Sequence, residues 1–145
     1  MKSYKLALLI AFAVVSMNSF AAGEHPAYLK ALSNLREARF LINHNPGKAE
    51  RTADEVAAER AIDVAIAEIK KAAIDDGKNL NDHPAADQVA DKKADLNRAV
   101  ELLRKSRAEV NEKEDDKFGN GLKVRALHSI DQAISFTIKA MATKK

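Results

Sequence analysis

Ile74-Asp75-Asp76-Gly77-Lys78-Asn79-Leu80-Asn81-Asp82-His83-Pro84 stands near the middle of the 145-residue chain and decides how the rest is read. Aspartate, asparagine, glycine and proline crowd it, the composition of a connection between helices. To its left, His25-Pro26 precedes a stretch carrying Leu35, Arg36 and Arg39; to its right, His83-Pro84 precedes one carrying Leu103, Arg104 and Arg107. The chain therefore reads as two copies of one helical hairpin joined at this loop.

Apolar residues on either side recur at three- and four-residue steps, the period of an amphipathic helix. The first helix is expected from about Pro26 to Asn43, with Tyr28, Leu32, Leu35 and Ile42 on one stripe and proline at the first helical position, where its missing N–H does no harm. A second, from about Ala49 to Asp75, carries Val56, Ile62, Ile66 and Ile69, with Gly77 as its left-handed stop. A third runs from about Pro84 to Lys113, with Val89, Leu96, Val100, Leu103 and Val110 on a seam that Lys92 and Lys93 interrupt. Phe118-Gly119-Asn120-Gly121 reads as a turn, and the fourth helix follows from about Leu122 to Ala142 with Leu127, Ile130, Ile134, Ile138 and Met141. No stretch alternates with period two, so the class is all-α.

Short connections return each helix beside the one before it, which gives an antiparallel up-down-up-down four-helix bundle. Helices one and three then begin at the same end and stand diagonally. The repeat is clearest at a displacement of 68, where Leu35 to Arg39 matches Leu103 to Arg107 and Ile62-Asp63-x-Ala65-Ile66 matches Ile130-Asp131-x-Ala133-Ile134.

Lys2 and Lys5, the apolar run Leu6 to Val15 and the small residues from Ser16 to Ala22 have the order of a secretory signal peptide. Cleavage after Ala21 fits the small-residue rule, and cleavage after Ala22 is the alternative; residues 23–145 form the bundle domain. The apolar run is about half the ~20 residues of a spanning helix, so no membrane insertion is expected once the signal is cut. With no cysteine, disulfides, thiolate metal sites and covalent haem attachment are excluded. The formal charge of +3 falls to about +1 when Lys2 and Lys5 leave, with 22 basic residues against 21 acidic ones. The two signs alternate at short range, a solvated surface and not a nucleic-acid footprint.

Three segments give the chain a resemblance: His-Pro-Ala-Tyr-Leu at His25 to Leu29, Leu-Arg-x-Ala-Arg at Leu35 to Arg39, and Ala-Ile-Asp-Asp-Gly-Lys-Asn followed by Asp-His-Pro across Ala73 to Pro84. In these it resembles a group of small, uncharacterised exported bacterial proteins. The resemblance covers most of the mature chain and implies export, with no activity attached.

Chemistry is sought first at the histidines. Glu24-His25-Pro26 and Asp82-His83-Pro84 repeat an acid-His-Pro trio at two helix starts, with Asp75 and Asp76 nearby in an up-down bundle. Each histidine can cap its helix while the acid complements the helix dipole. Alternatively His25, His83, Asp82, Asp75 and Asp76 form a copper, nickel or zinc site. Cleavage after Ala22 would also leave Gly23-Glu24-His25 at the amino terminus, a square-planar copper(II) or nickel(II) chelate. His128 and Met141, 13 residues apart on one helix, are too far apart to flank a haem iron. Arg39 and Arg107 interrupt apolar stripes, and Asp63 and Asp131 flank the seams of the neighbouring helices, so the pairs Arg39–Asp63 and Arg107–Asp131 are expected as structural salt bridges.

No nucleophile elbow, phosphate loop or persuasive Ser/His/Asp set is present. The expected role is a non-enzymatic periplasmic or secreted helical module, binding or stress-associated, whose partner is an unknown protein or small ligand. The alternative is a periplasmic metal-binding protein. The same apolar stripes could supply the seam of a homodimer.

Overall fold

The computed structural model describes residues 26–48, 50–72, 76–86, 91–112 and 117–144. They form four helices, α1 (Pro26–Asn43), α2 (Ala53–Ala72), α3 (Lys92–Asn111) and α4 (Lys117–Thr143), with one short 3-10 turn at Pro46–Lys48 and no strand among the described residues.

α1 has the expected limits, and its stripe of Tyr28, Leu32, Leu35 and Ile42 is buried. α2 starts four residues later than expected because Thr52 and Glu55 form a capping box. The Glu55 amide donates to the Thr52 hydroxyl at 3.2 Å and the Thr52 amide to Glu55 Oε2 at 2.6 Å, satisfying two orphan amides reciprocally. Gly77 takes the left-handed backbone expected of it, φ 70, beyond residues 73–75, which lie outside the described set. α4 begins at Lys117, so Phe118 to Gly121 is helix and not a turn; glycine is merely a poor helix former, and continuation into the long apolar seam prevails. Within that seam Ile130 is buried but Ile138 is 42% exposed, its expected place being taken by Thr137 and Ala140.

The largest departure is at α3. It begins at Lys92, capped by Asp91 whose side chain accepts the Lys93 amide, and not at Pro84. Residues 82–86 are irregular, so His83 caps no helix. Contacts at both ends of each helix pair give the directions. Lys92 and Asp95 meet Ile42 and His44, whereas Ser106 meets Ala31. Glu59 and Asp63 meet Asn43 and Arg39. Glu68 meets Arg125 and Glu55 meets Lys144; Asn111 meets Lys123 and Arg107 meets Asp131. Every neighbouring pair is antiparallel, and α1 neighbours α3 as well as α2, while α4 neighbours α2 and α3.

The order is therefore up-down-down-up. This corrects the expected up-down-up-down: α1 and α3 are adjacent, not diagonal, and start at opposite ends. The physical reason is the length of the connection. Residues 76–91 can span about 50 Å at ~3.3 Å per residue, more than the ~30 Å of a 20-residue helix. A crossover that long returns the chain to the starting end of α2.

Candidate functional site

The crossover climbs α1 and is fastened to it residue by residue. Arg36, 1% exposed, donates through Nη1 and Nη2 to the two carboxylate oxygens of Asp76, each at 2.8 Å, and Nη2 also reaches the Lys78 carbonyl. Lys70 of α2 donates to the same carbonyl at 2.6 Å and lies 3.6 Å from Asp76. Burial pushes the Asp76 carboxyl up, but the Arg36 guanidinium, the Lys78 amide and Lys70 outweigh it and hold the group below the ordinary aspartate value. One turn further along, Arg39 donates to Asp63 at 2.7 Å and to Asn81 at 3.3 Å, and its Nη2 pairs with Glu59 at 2.8 Å.

Above these ties the segment turns. The Asn79 amide donates to Asp82 and the Asn81 amide to Asn79 Oδ1, local side-chain bonds of the kind that favour turns over helix. The His83 ring stacks on Phe40 with centroids 4.0 Å apart, and its Nδ1 is 2.7 Å from the Pro84 carbonyl. A carbonyl can only accept, so Nδ1 is the donor in this contact. Ser33, Lys78, Asp82, His83 and Pro84 line an open cleft of about 320 Å³ beside this stack. It offers a hydroxyl, an ammonium, a carboxylate and an imidazole beside the Pro84 ring. Ser33 and His83 share no hydrogen bond, so they do not form a nucleophile and base pair in this geometry.

No protein-family profile, curated protein or solved structure matches this chain.

Of the residues singled out for metal binding, His25 and Asp75 lie outside the described residues. Asp82 and His83 meet at the cleft, but Asp76 has both oxygens committed to Arg36. The start of α1 that His25 precedes is about 21 Å along the helix from Phe40, where His83 sits, so the premise that both trios share one end does not hold. Among the described residues no three His, Asp or Glu side chains are grouped to hold a metal ion. Arg39 meets Asp63 and Arg107 meets Asp131, each pair 24 residues apart with Nε to Oδ1 at 2.7 and 2.6 Å.

Sequence reasoning missed a second polar cluster at the other end of the crossover. Lys92 donates to the Leu41, Ile42 and His44 carbonyls at 3.1, 2.6 and 2.6 Å, capping α1 from a neighbouring helix, and lies 3.2 Å from the fully buried Glu55. Lys144 approaches the same carboxylate at 3.3 Å, and His44 Nδ1 meets the buried Asp95 at 2.7 Å. Burial lowers the Lys92 ammonium below its ordinary range despite Glu55. Burial acts to raise Glu55, but the Thr52 amide and Lys92 outweigh it and hold the group low. The Thr52-x-x-Glu55 spacing was a legible signal; the Lys92 contacts cross from helix to helix and have none.

Proposed function

We propose that the protein is a non-enzymatic helical binding module, exported to the periplasm or beyond and suited to a stress-associated role, that takes a small ligand or a partner segment in the cleft of Ser33, Lys78, Asp82, His83 and Pro84. The observation that carries this reading is the cleft itself. Arg36–Asp76 and Phe40–His83 hold its walls in place, and that preorganisation spares a ligand the entropy of ordering them. No described helix is long and apolar enough to cross a membrane.

The test is site-directed photocrosslinking in a bacterial periplasm, with the photoreactive residue at Lys78 or Asp82 and a control at the exposed Arg60 of α2. Expected are discrete adducts from the cleft positions alone, lost on Ser33→Tyr, which fills the cleft. Adducts equally strong from Arg60, or none from either cleft position, would count against the reading. The intact mass of the exported protein, starting at Ala22 or Gly23, tests the address.

The two hairpins are also proposed as copies of one ancestral unit, packed about a pseudo-twofold axis. Two observations support this. The ion pairs 39–63 and 107–131 are displaced by 68, and so is much of the core: Ala31, Leu32, Leu35 and Ile62 have buried counterparts in Ala99, Val100, Leu103 and Ile130.

A further inference from the structure

Positions 68 apart are alike in the core but not on the outside. Arg36 is 1% exposed and gripped by Asp76, while Arg104, at the matching place on α3, is exposed and makes no hydrogen bond or ion pair among the described residues. The ion pair Arg39–Asp63 is covered to 16% and 33% exposure, whereas Arg107–Asp131 stands at 46% and 49%. The difference is the crossover: residues 76–86 lie over the α1/α2 groove, and no described residue lies over the α3/α4 groove.

The chemistry of the vacant groove is complementary to what fills the occupied one. Arg36 and Lys70 flank Asp76 in the first groove, so Arg104 and Ile138, their counterparts, flank the same point in the second. Ile138 is one of three large apolar side chains exposed among the described residues. Glu101 stands where Ser33 does, the residue that shares the cleft wall with Lys78. An occupant whose carboxylate meets Arg104 and whose basic residue, two positions on, meets Glu101 would satisfy both charges and cover Ile138. The strap itself has this pattern, Asp76-Gly77-Lys78, with Leu80 packed on the core just after it.

We propose that the α3/α4 groove at Arg104, Glu101 and Ile138 docks an extended segment of a partner protein with an acidic residue, a basic residue two positions later and an aliphatic residue beyond it, seated as the crossover is seated on α1. The guanidinium supplies a bidentate anchor, and the apolar contact at Ile138 is what a lone surface ion pair lacks. The groove is separate from the Ser33–His83 cleft, so its failure leaves the proposed function standing.

The probe is a synthetic peptide with the sequence of residues 76–86, titrated into the isotope-labelled mature protein and followed by NMR. Expected are saturable shifts at Arg104, Arg107 and Ile138, half-complete below about 2 mM, with residues around Arg60 and Val64 unmoved. Arg104→Glu in the protein, or Asp76→Asn in the peptide, should weaken binding about tenfold. Arg104 is exposed and makes no bond among the described residues, so the substitution leaves the fold intact. Shifts that do not saturate, that survive Arg104→Glu, or that centre on Arg36 through displacement of the strap would overturn the proposal. So would a mature protein that is dimeric and dissociates on Arg104→Glu, since the occupant would then be a second copy.

Discussion

Arg36 and Arg104 are the same residue type at matching positions, and their different surroundings give opposite consequences on substitution. Arg36→Ala takes the bidentate partner from the largely buried Asp76, leaving it the Lys78 amide and Lys70, and should destabilise by ~2–3 kcal/mol. Arg104→Ala should change stability by less than about 0.5 kcal/mol, as surface substitutions do. Urea denaturation of the two variants checks the contrast, and equal losses would mean that the strap is not anchored at Arg36. The titration sign follows from the same contacts. Asp76 and Glu55 are held below their ordinary values in the fold, so their contribution is complete above the unfolded values near pH 4 and is lost as pH falls through the folded ones. Glu109 is pushed the other way by burial, against Asn34, and offsets part of this slope near its own range. The melting temperature should be nearly level above about pH 5 and fall below about pH 4, with the fall shallower in Asp76→Asn. Only part of this was legible: Arg39 and Asp63 announce each other by interrupting two stripes, whereas nothing in Arg36 names a partner 40 residues away.

Helices showed their existence more clearly than their ends. The stripe of α1 and the apolar seams of α2, α3 and α4 follow from periodicity, because burying one face is what stabilises such helices. The start of α3 did not, since Pro84 sits where proline opens a helix. It lost to a tertiary alternative in which His83 stacks on Phe40, Leu80 and Ala86 pack on the core, and Lys92 reaches the last carbonyls of α1. The crossover's entry depends on Gly77 at φ 70, where an added Cβ meets nothing within 4 Å. Gly77→Ala should therefore cost about 1–2 kcal/mol from backbone strain alone. A thermal shift should show it, and hydrogen exchange should speed up across residues 76–86 before the helices are affected. Unchanged exchange there would indicate that the turn is not what holds the strap.

For the molecule as a whole, the order up-down-down-up makes a prediction that the simpler bundle contradicts. Lys71 at the end of α2 and Lys93 at the start of α3 are both exposed, and the crossover separates them by about the length of α2, ~30 Å. In an up-down-up-down bundle they would lie within about 15 Å, given helices packed 8–10 Å apart. Spin labels at these two positions distinguish the arrangements by pulsed electron resonance, and a dominant short distance would refute the crossover. The arrangement also explains why the two hairpins differ in exposure: one connection cannot cover both grooves. Arg36, Arg39 and Asp63 are covered by it, and Arg104, Arg107 and Asp131 are not.

By itself the sequence determined what repeats within one or two turns of helix or recurs in both halves of the chain: the all-α class, four amphipathic segments, the Arg-Asp pairs 24 residues apart and the turn at Gly77. Each depends on spacing along a single helix or on a pattern present twice, so local physics suffices. Tertiary structure alone decided where α3 begins, which helices are neighbours, that Asp76 serves Arg36, and that Lys92 caps α1 beside Glu55. Those outcomes compare a local preference with burial against a surface that exists only after the chain has folded. The neighbouring helix supplied partners that no spacing could name.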